Sequence, residues 1–356
     1  MPGKQPMLKH DDPSSTPPRP GIVFPAAAMA IAGPPALPRA AGGPQSLWWR
    51  TGPNSMEAVA TLLRGEQRWA HHYYRLACRH QWSPADIDLT TDLAIPEIQD
   101  ELAGAERRVA LHALSWLHAM TSAATRRPPA LITWHLLGSP DCRQFLARQL
   151  FDEGQRPAAV RIATATLETA TEDSAATPPI TEPARRLRDW LQARYDDLAA
   201  SAADADPPTI CHHLAACHVV AKALLLQPIA IQLLTIGRRG RLLGMAQLFG
   251  HLLHDEIIHL QFGLTLIKHV ARRQGELHPE RLHNILAQAI ELATDQAYAS
   301  LPQGLPGLNA PMLEEYLAHA ANRCCDLLQL PPLQPGAINP FSWMSELRPP
   351  AIPILP

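Results

Sequence analysis

The sequence predicts an all-α protein. Three observations carry this. Glycine is sparse, at 19 of 356 residues. Long runs of β-branched residues are missing, and Ala/Leu-rich stretches repeat with the 3.6-residue period of an amphipathic helix. An apolar fraction of 46% is enough for a large core in one or two domains.

Taken in order, residues 1–47 are rich in Pro, Ala and Gly and have no amphipathic period, so a disordered tail is expected there. Its run "GIVFPAAAMAIAGPPALP" is broken by prolines and preceded by Asp11 and Asp12, which argues against both a signal peptide and a membrane span. The folded domain is expected over 48–330, starting at "LWWRTGPNS". Helices are predicted at about 56–80, 97–125, 129–137, 140–170, 181–202, 209–236, 240–274, 279–298 and 310–329. Turn and capping signals separate them: "SPAD", "TRRPP", "GSPD", "TPPITEP", "DADPP", "RRGR" and "LPQGLPG". The stretch "RLLGMAQLFGHLLHDEIIHLQFGLTLIKHVARR" is apolar nearly all round, as a central bundle helix must be. Residues 331–356, "PPLQPGAINPFSWMSELRPPAIPILP", are proline-rich and predict an extended arm.

A net charge of −2 gives no support to nucleic-acid or anionic-membrane binding, which needs a concentrated basic face. The cysteines at 78, 142, 211, 217, 324 and 325 lack the spacing of a disulfide framework. A reducing compartment, the cytoplasm, is therefore expected.

The chemistry centres on residues 254–259, "HDEIIH". Residues three apart share a helix face, so Glu256 and His259 can grip one ion while Asp255 orients the ligand. In a helical bundle, two Glu-x-x-His helices and two further carboxylate helices make a dinuclear metal centre; a locally paired buried network is the alternative. Two other groupings stand out. "CHHLAACH" gathers Cys211, His213, Cys217 and His218, a composition that suits zinc. His251, Asp255 and His259 lie four apart on one stripe, which suits a relay, a mononuclear site or a satisfied core network.

A partner for "HDEIIH" is found in "RQFLARQLFDEGQRPAAV", where Glu153 stands upstream on a helix. Together with "RWAHHYYRLACRHQWSPADIDLTTD", "LLHDEIIHLQFG", "GLNAPMLEEYLAHAANRCCDLLQLPPL" and "NPFSWMSE", in this order, the chain resembles the small, radical-generating subunit of class I ribonucleotide reductase. The resemblance covers most of residues 48–346. It implies a ferritin-like helical bundle, a homodimer, a large-subunit partner, and reduction of ribonucleoside diphosphates with a di-iron or di-manganese cofactor.

Carried over position by position, the resemblance implies a degenerate metal site. Glu153, Glu256 and His259 match ligands of the family and would be remnant ligands. Thr121, Arg156 and Lys222 stand at the other three ligand positions, and Val160 replaces the radical tyrosine. Two fixed cations facing two metal ions in a low-dielectric core cost several kcal/mol, even at an effective dielectric constant of about 20. The expectation is no metal, or a mononuclear one, with Arg156 and Lys222 pairing with Glu153 and Glu256 instead. Trp82 and Asp255 fall on the family's relay tryptophan and its neighbouring aspartate. The tail "LRPPAIPILP" has neither tyrosine nor acid, which predicts weakened docking to a large subunit. Function is thus expected either in ribonucleotide reduction with an impaired radical site, in a silent binding or regulatory paralogue, or in a mononuclear metal oxidase.

Overall fold

The structure is a computed structural model that describes residues 62, 63, 65–92, 101–169, 180–204, 206–274 and 277–347. The expected tail at 1–47, the first part of the first helix and the last residues of the arm lie outside the described residues.

The described residues form helices α1 (Arg68–Arg79), α2 (Glu101–Arg126), α3 (Pro129–Leu136), α4 (Pro140–Thr169) and α5 (Glu182–Asp204). These are followed by α6 (Pro207–Gly237), α7 (Leu243–Gln274), α8 (Pro279–Ser300) and α9 (Ala310–Leu327). Four of them, α3, α4, α6 and α8, begin on a proline, whose missing N–H is one of the donors a helix start leaves free anyway. Asp206 caps α6 by accepting from Thr209 N at 2.7 Å, and Asn309 caps α9 by accepting from Met312 N at 2.9 Å. In the "RRGR" turn, Gly240 has φ +75°, a left-handed conformation that glycine adopts without strain.

Four helices close a ring around the core: α2 packs on α4, α4 on α7, α7 on α6, and α6 on α2. The remaining helices cover this ring, with α1 on α4, α5 on α2 and on α8, and both α8 and α9 on α6. Helix α6 is long and apolar enough to cross a membrane, yet 94% of its most apolar stretch is buried inside the protein, so it is the central core helix. Its middle, Ala216–Leu226, is π-helical, a departure from the regular helix expected over 209–236. Helices α6 and α7 approach closely at Gly263, where an added Cβ would lie 2.7 Å from the Cβ of His218 and 2.8 Å from its carbonyl oxygen. The first part of the proline-rich arm lies against the body. Phe341 is fully buried and edge-on to Tyr316, and Ser342–Leu347 forms a 3-10 turn.

Candidate metal centre and its ion-paired core

Each helix of the ring carries at least one expected ligand position. Thr121 lies on α2, Glu153 and Arg156 on α4, Lys222 on α6, and Glu256 and His259 on α7; all six are buried. Pro157 sits inside α4, directly after Arg156. It has no N–H to give to the carbonyl of Glu153, so the backbone is loosened where the site is built. Lys222 stands within the π-helical part of α6, a form of helix often found where a side chain must be re-aimed into a site.

The two cations occupy the space between the two glutamates. Lys222 Nζ lies 2.6 Å from Glu153 Oε1 and 3.2 Å from Glu256 Oε2. The guanidinium of Arg156 contacts Glu256 Oε1. Gln149 Nε2 donates to Glu153 Oε1 at 2.9 Å. His259 points one nitrogen to Asp152 Oδ2 at 3.4 Å and has the other 3.8 Å from Glu256 Oε1. Lys222 therefore bridges both glutamates.

Electrostatics follow from this packing. Burial raises the Glu153 carboxyl, but Lys222 and then Arg156 overcome that and hold it well below the usual carboxylate range. Burial lowers Lys222 to about 8 against the pull of Glu153. Burial also drives His259 far below its ordinary value, so it is neutral. Asp152 is pushed up to about 7, by burial first and by Asp255 second, although Arg148 lies 2.7 Å away. Four carboxylates (Asp152, Glu153, Asp255, Glu256) face three cations (Arg148, Arg156, Lys222), so one proton held by the raised aspartates makes the cluster neutral.

This arrangement does not fit a dinuclear metal centre. Both oxygens of Glu256 and one of Glu153 already face cations, and the two fixed charges would oppose about four positive charges of a metal pair. The cavity beside Arg156 and Glu256, walled by Leu117, Leu226, Phe249 and Leu253, has a volume of about 20 Å³. That is room for a single water.

Residues 60–340 match the family described as ribonucleotide reductase, small chain. The chain belongs to that family. It is similar to the ribonucleoside-diphosphate reductase subunit beta of Chlamydia pneumoniae, 26% identical over 303 residues, which are 81% of this protein and 85% of the relative. It is also similar to a ribonucleoside-diphosphate reductase small chain of Arabidopsis thaliana, 22% identical over 281 residues, 76% of this protein and 75% of the relative. Among solved structures, the ribonucleotide reductase R2 subunit from Clostridium botulinum superposes with a TM-score of 0.68 at 17% identity, covering 79% of this protein and 88% of that one. An R2-like ligand-binding oxidase with a reconstituted Mn/Fe cofactor superposes at 0.53 with 16% identity, over 72% and 92% of the two chains. The structural likenesses carry the fold, a ferritin-like helical bundle.

Of the other family positions, Trp82 and Asp255 are together: the indole Nε1 donates to Asp255 Oδ2 at 2.8 Å. Val160 is buried in the apolar core, and Thr121 Oγ1 is buried without a hydrogen-bond partner among the described residues. The cysteine and histidine grouping is not assembled. His218 Nε2 instead pairs with Thr133 Oγ1 at 2.8 Å, and no three ligands of that grouping converge among the described residues. The His251, Asp255 and His259 stripe divides, with His251 stacked on Trp82 and His259 turned to Asp152.

Sequence reading missed Arg148, Gln149 and Asp152, which line the site from α4. The spacing was present, since Arg148 and Asp152, like Gln149 and Glu153, are four apart on one helix face. It also missed Tyr195 of α5, a buried tyrosine whose hydroxyl is raised well above its ordinary value by burial, with Cys217 and Glu153 adding to it.

Proposed function

We propose that this chain is a ribonucleotide reductase small-chain homologue whose core is held by ion pairs in place of a metal centre. It acts in a reductase assembly as a binding or regulatory subunit and does not generate a radical. The observation that carries this reading is the ammonium of Lys222, seated between Glu153 and Glu256 where the family's metal would lie. A self-neutral core has no electrostatic need for an ion, because each buried carboxylate has a cation or a proton. A mononuclear oxidase on Glu153, Glu256 and His259 fits less well, since it would first have to displace Lys222 and Arg156. The family's activity, reduction of ribonucleoside diphosphates with a large subunit, would then be supported through assembly, with a homodimer as the expected unit.

The test is metal analysis with electron paramagnetic resonance on the full-length protein after exposure to iron or manganese and oxygen. The expected result is no dinuclear iron or manganese centre and no tyrosyl radical. A stoichiometric dinuclear centre would overturn the proposal.

A further inference from the structure

One helical turn from the ion pairs, on the other side of Asp255, lies a cluster of a different kind. His254 and Asp255 of α7 and His80, which caps the end of α1, bring one ligand atom each within 4.8 Å of one another. The His80 and His254 rings are 3.4 Å apart between centroids. His251, one turn earlier on α7, has its ring 5.4 Å from that of His80. Residues 251, 254 and 255 thus present His-x-x-His-Asp on one helix face, and His80 faces them from a second helix.

The inner nitrogens of this cluster are unused, as some polar atoms of the charged core are too, Glu153 Oε2 and His259 Nδ1 among them. His80 Nε2, His254 Nδ1 and His251 Nδ1 are buried without a hydrogen-bond partner among the described residues. A buried polar atom left without a partner costs free energy and calls for a reason.

We propose that His80, His254 and Asp255 bind one divalent transition-metal ion of the zinc class, with His251 available as a fourth ligand. Tetrahedral ligation at about 2.0–2.1 Å sets donors about 3.4 Å apart, so the ligand atoms have to draw in by no more than about 1.4 Å. Two imidazoles and one carboxylate suit zinc, and the order of divalent affinities favours it over manganese and iron(II). His80 and His254 are themselves half-buried. The site is mononuclear and shares only Asp255 with the charged cluster, using no residue that pairs with Lys222.

The test uses the full-length protein, stripped by chelator and titrated with zinc(II), then with cobalt(II) as a spectroscopic probe. The expected result is one zinc per chain, a rise in melting temperature on binding, and visible cobalt bands of low-coordinate nitrogen and oxygen ligation. H80Q and H254Q should each weaken binding at least tenfold, while E153Q leaves it unchanged. Melting of the ion-free variants reports folding separately, and cobalt quenching of Trp82 emission, absent in W82F, places the ion on the wild-type protein. Absence of stoichiometric binding overturns the proposal. So does binding that both histidine variants retain, or binding lost in E153Q alone, which would put the ion in the charged core.

Discussion

Along one turn of α7, neighbouring residues meet opposite surroundings. Glu256 turns into a charged core, where both of its oxygens face cations. His254 turns toward half-buried neutral imidazoles whose inner nitrogens have no partner among the described residues. Asp255 stands between, bonded to Trp82 and raised to about 6 by burial. The difference shows two ways of treating polar groups inside a bundle. One is crowded with paired charges from its own side chains; the other gathers neutral rings whose inner nitrogens make no hydrogen bond among the described residues. Both depend on the same physical rule, that buried polar atoms must find partners.

The comparison is broken most severely by removing the bridging ammonium. Lys222→Met leaves Glu153 without its nearest cation in a site from which water is largely excluded, and should cost on the order of 3–5 kcal/mol at neutral pH. Adding Glu153→Leu should recover much of that loss, because the orphaned charge disappears with its partner. Thermal or urea unfolding of the single and double variants in chelator measures both. A single variant as stable as wild type would mean that the pair contributes nothing to the fold.

The second test concerns Asp152, the acid that shares the cluster's proton. Its carboxyl is raised from 3.8 to about 7, chiefly by burial. A raised acid stabilises the folded state fully below its unfolded value, and that contribution is lost as pH rises through the folded one. Asp152 therefore contributes a decline in stability between about pH 4 and pH 7, set against the rise contributed by histidines that burial keeps neutral. Asp152→Asn, which cannot titrate, should flatten that decline by on the order of 3 kcal/mol at most. An unchanged slope in the variant would place the proton elsewhere.

How much of this was legible in the sequence differs between the same two regions. The helices were readable because their period was clear and prolines at 129, 140, 207 and 279 marked the starts. The π-helical part of α6 was not, since "ACHVVAKALLL" has almost no polar residue from which a change of period can be seen. In the core, Glu153, Arg156, Lys222, Glu256 and His259 were readable through motif spacing, although the bridging role of Lys222 depends on side-chain reach across the ring. Asp152 and Arg148 were present at helical spacing, but spacing alone does not say which face turns inward. His80 and His254 are far apart in the sequence, and only packing of α1 near α7 brings them together.

The smallest effect tests the residue that joins the two regions. Trp82 donates to Asp255 and stacks on His251 at 5.3 Å between ring centroids. Trp82→Phe keeps an aromatic ring there and removes only the N–H, so the expected cost at neutral pH is about 1–2 kcal/mol, the usual range for a hydrogen bond to a charged group at its low end. The hydrogen bond lowers the Asp255 carboxyl against the stronger effect of burial, so it favours the ionised form. Its contribution is therefore present above about pH 6 and is lost as pH falls below that value, where the folded carboxyl is protonated with or without the indole. Unfolding of W82F and wild type in chelator from pH 4 to pH 8 should give curves that meet at the acid end and separate toward neutrality. A gap that stays constant across this range would mean that Trp82 acts through packing alone. Asp255 would then be coupled to the histidine side without help from the indole.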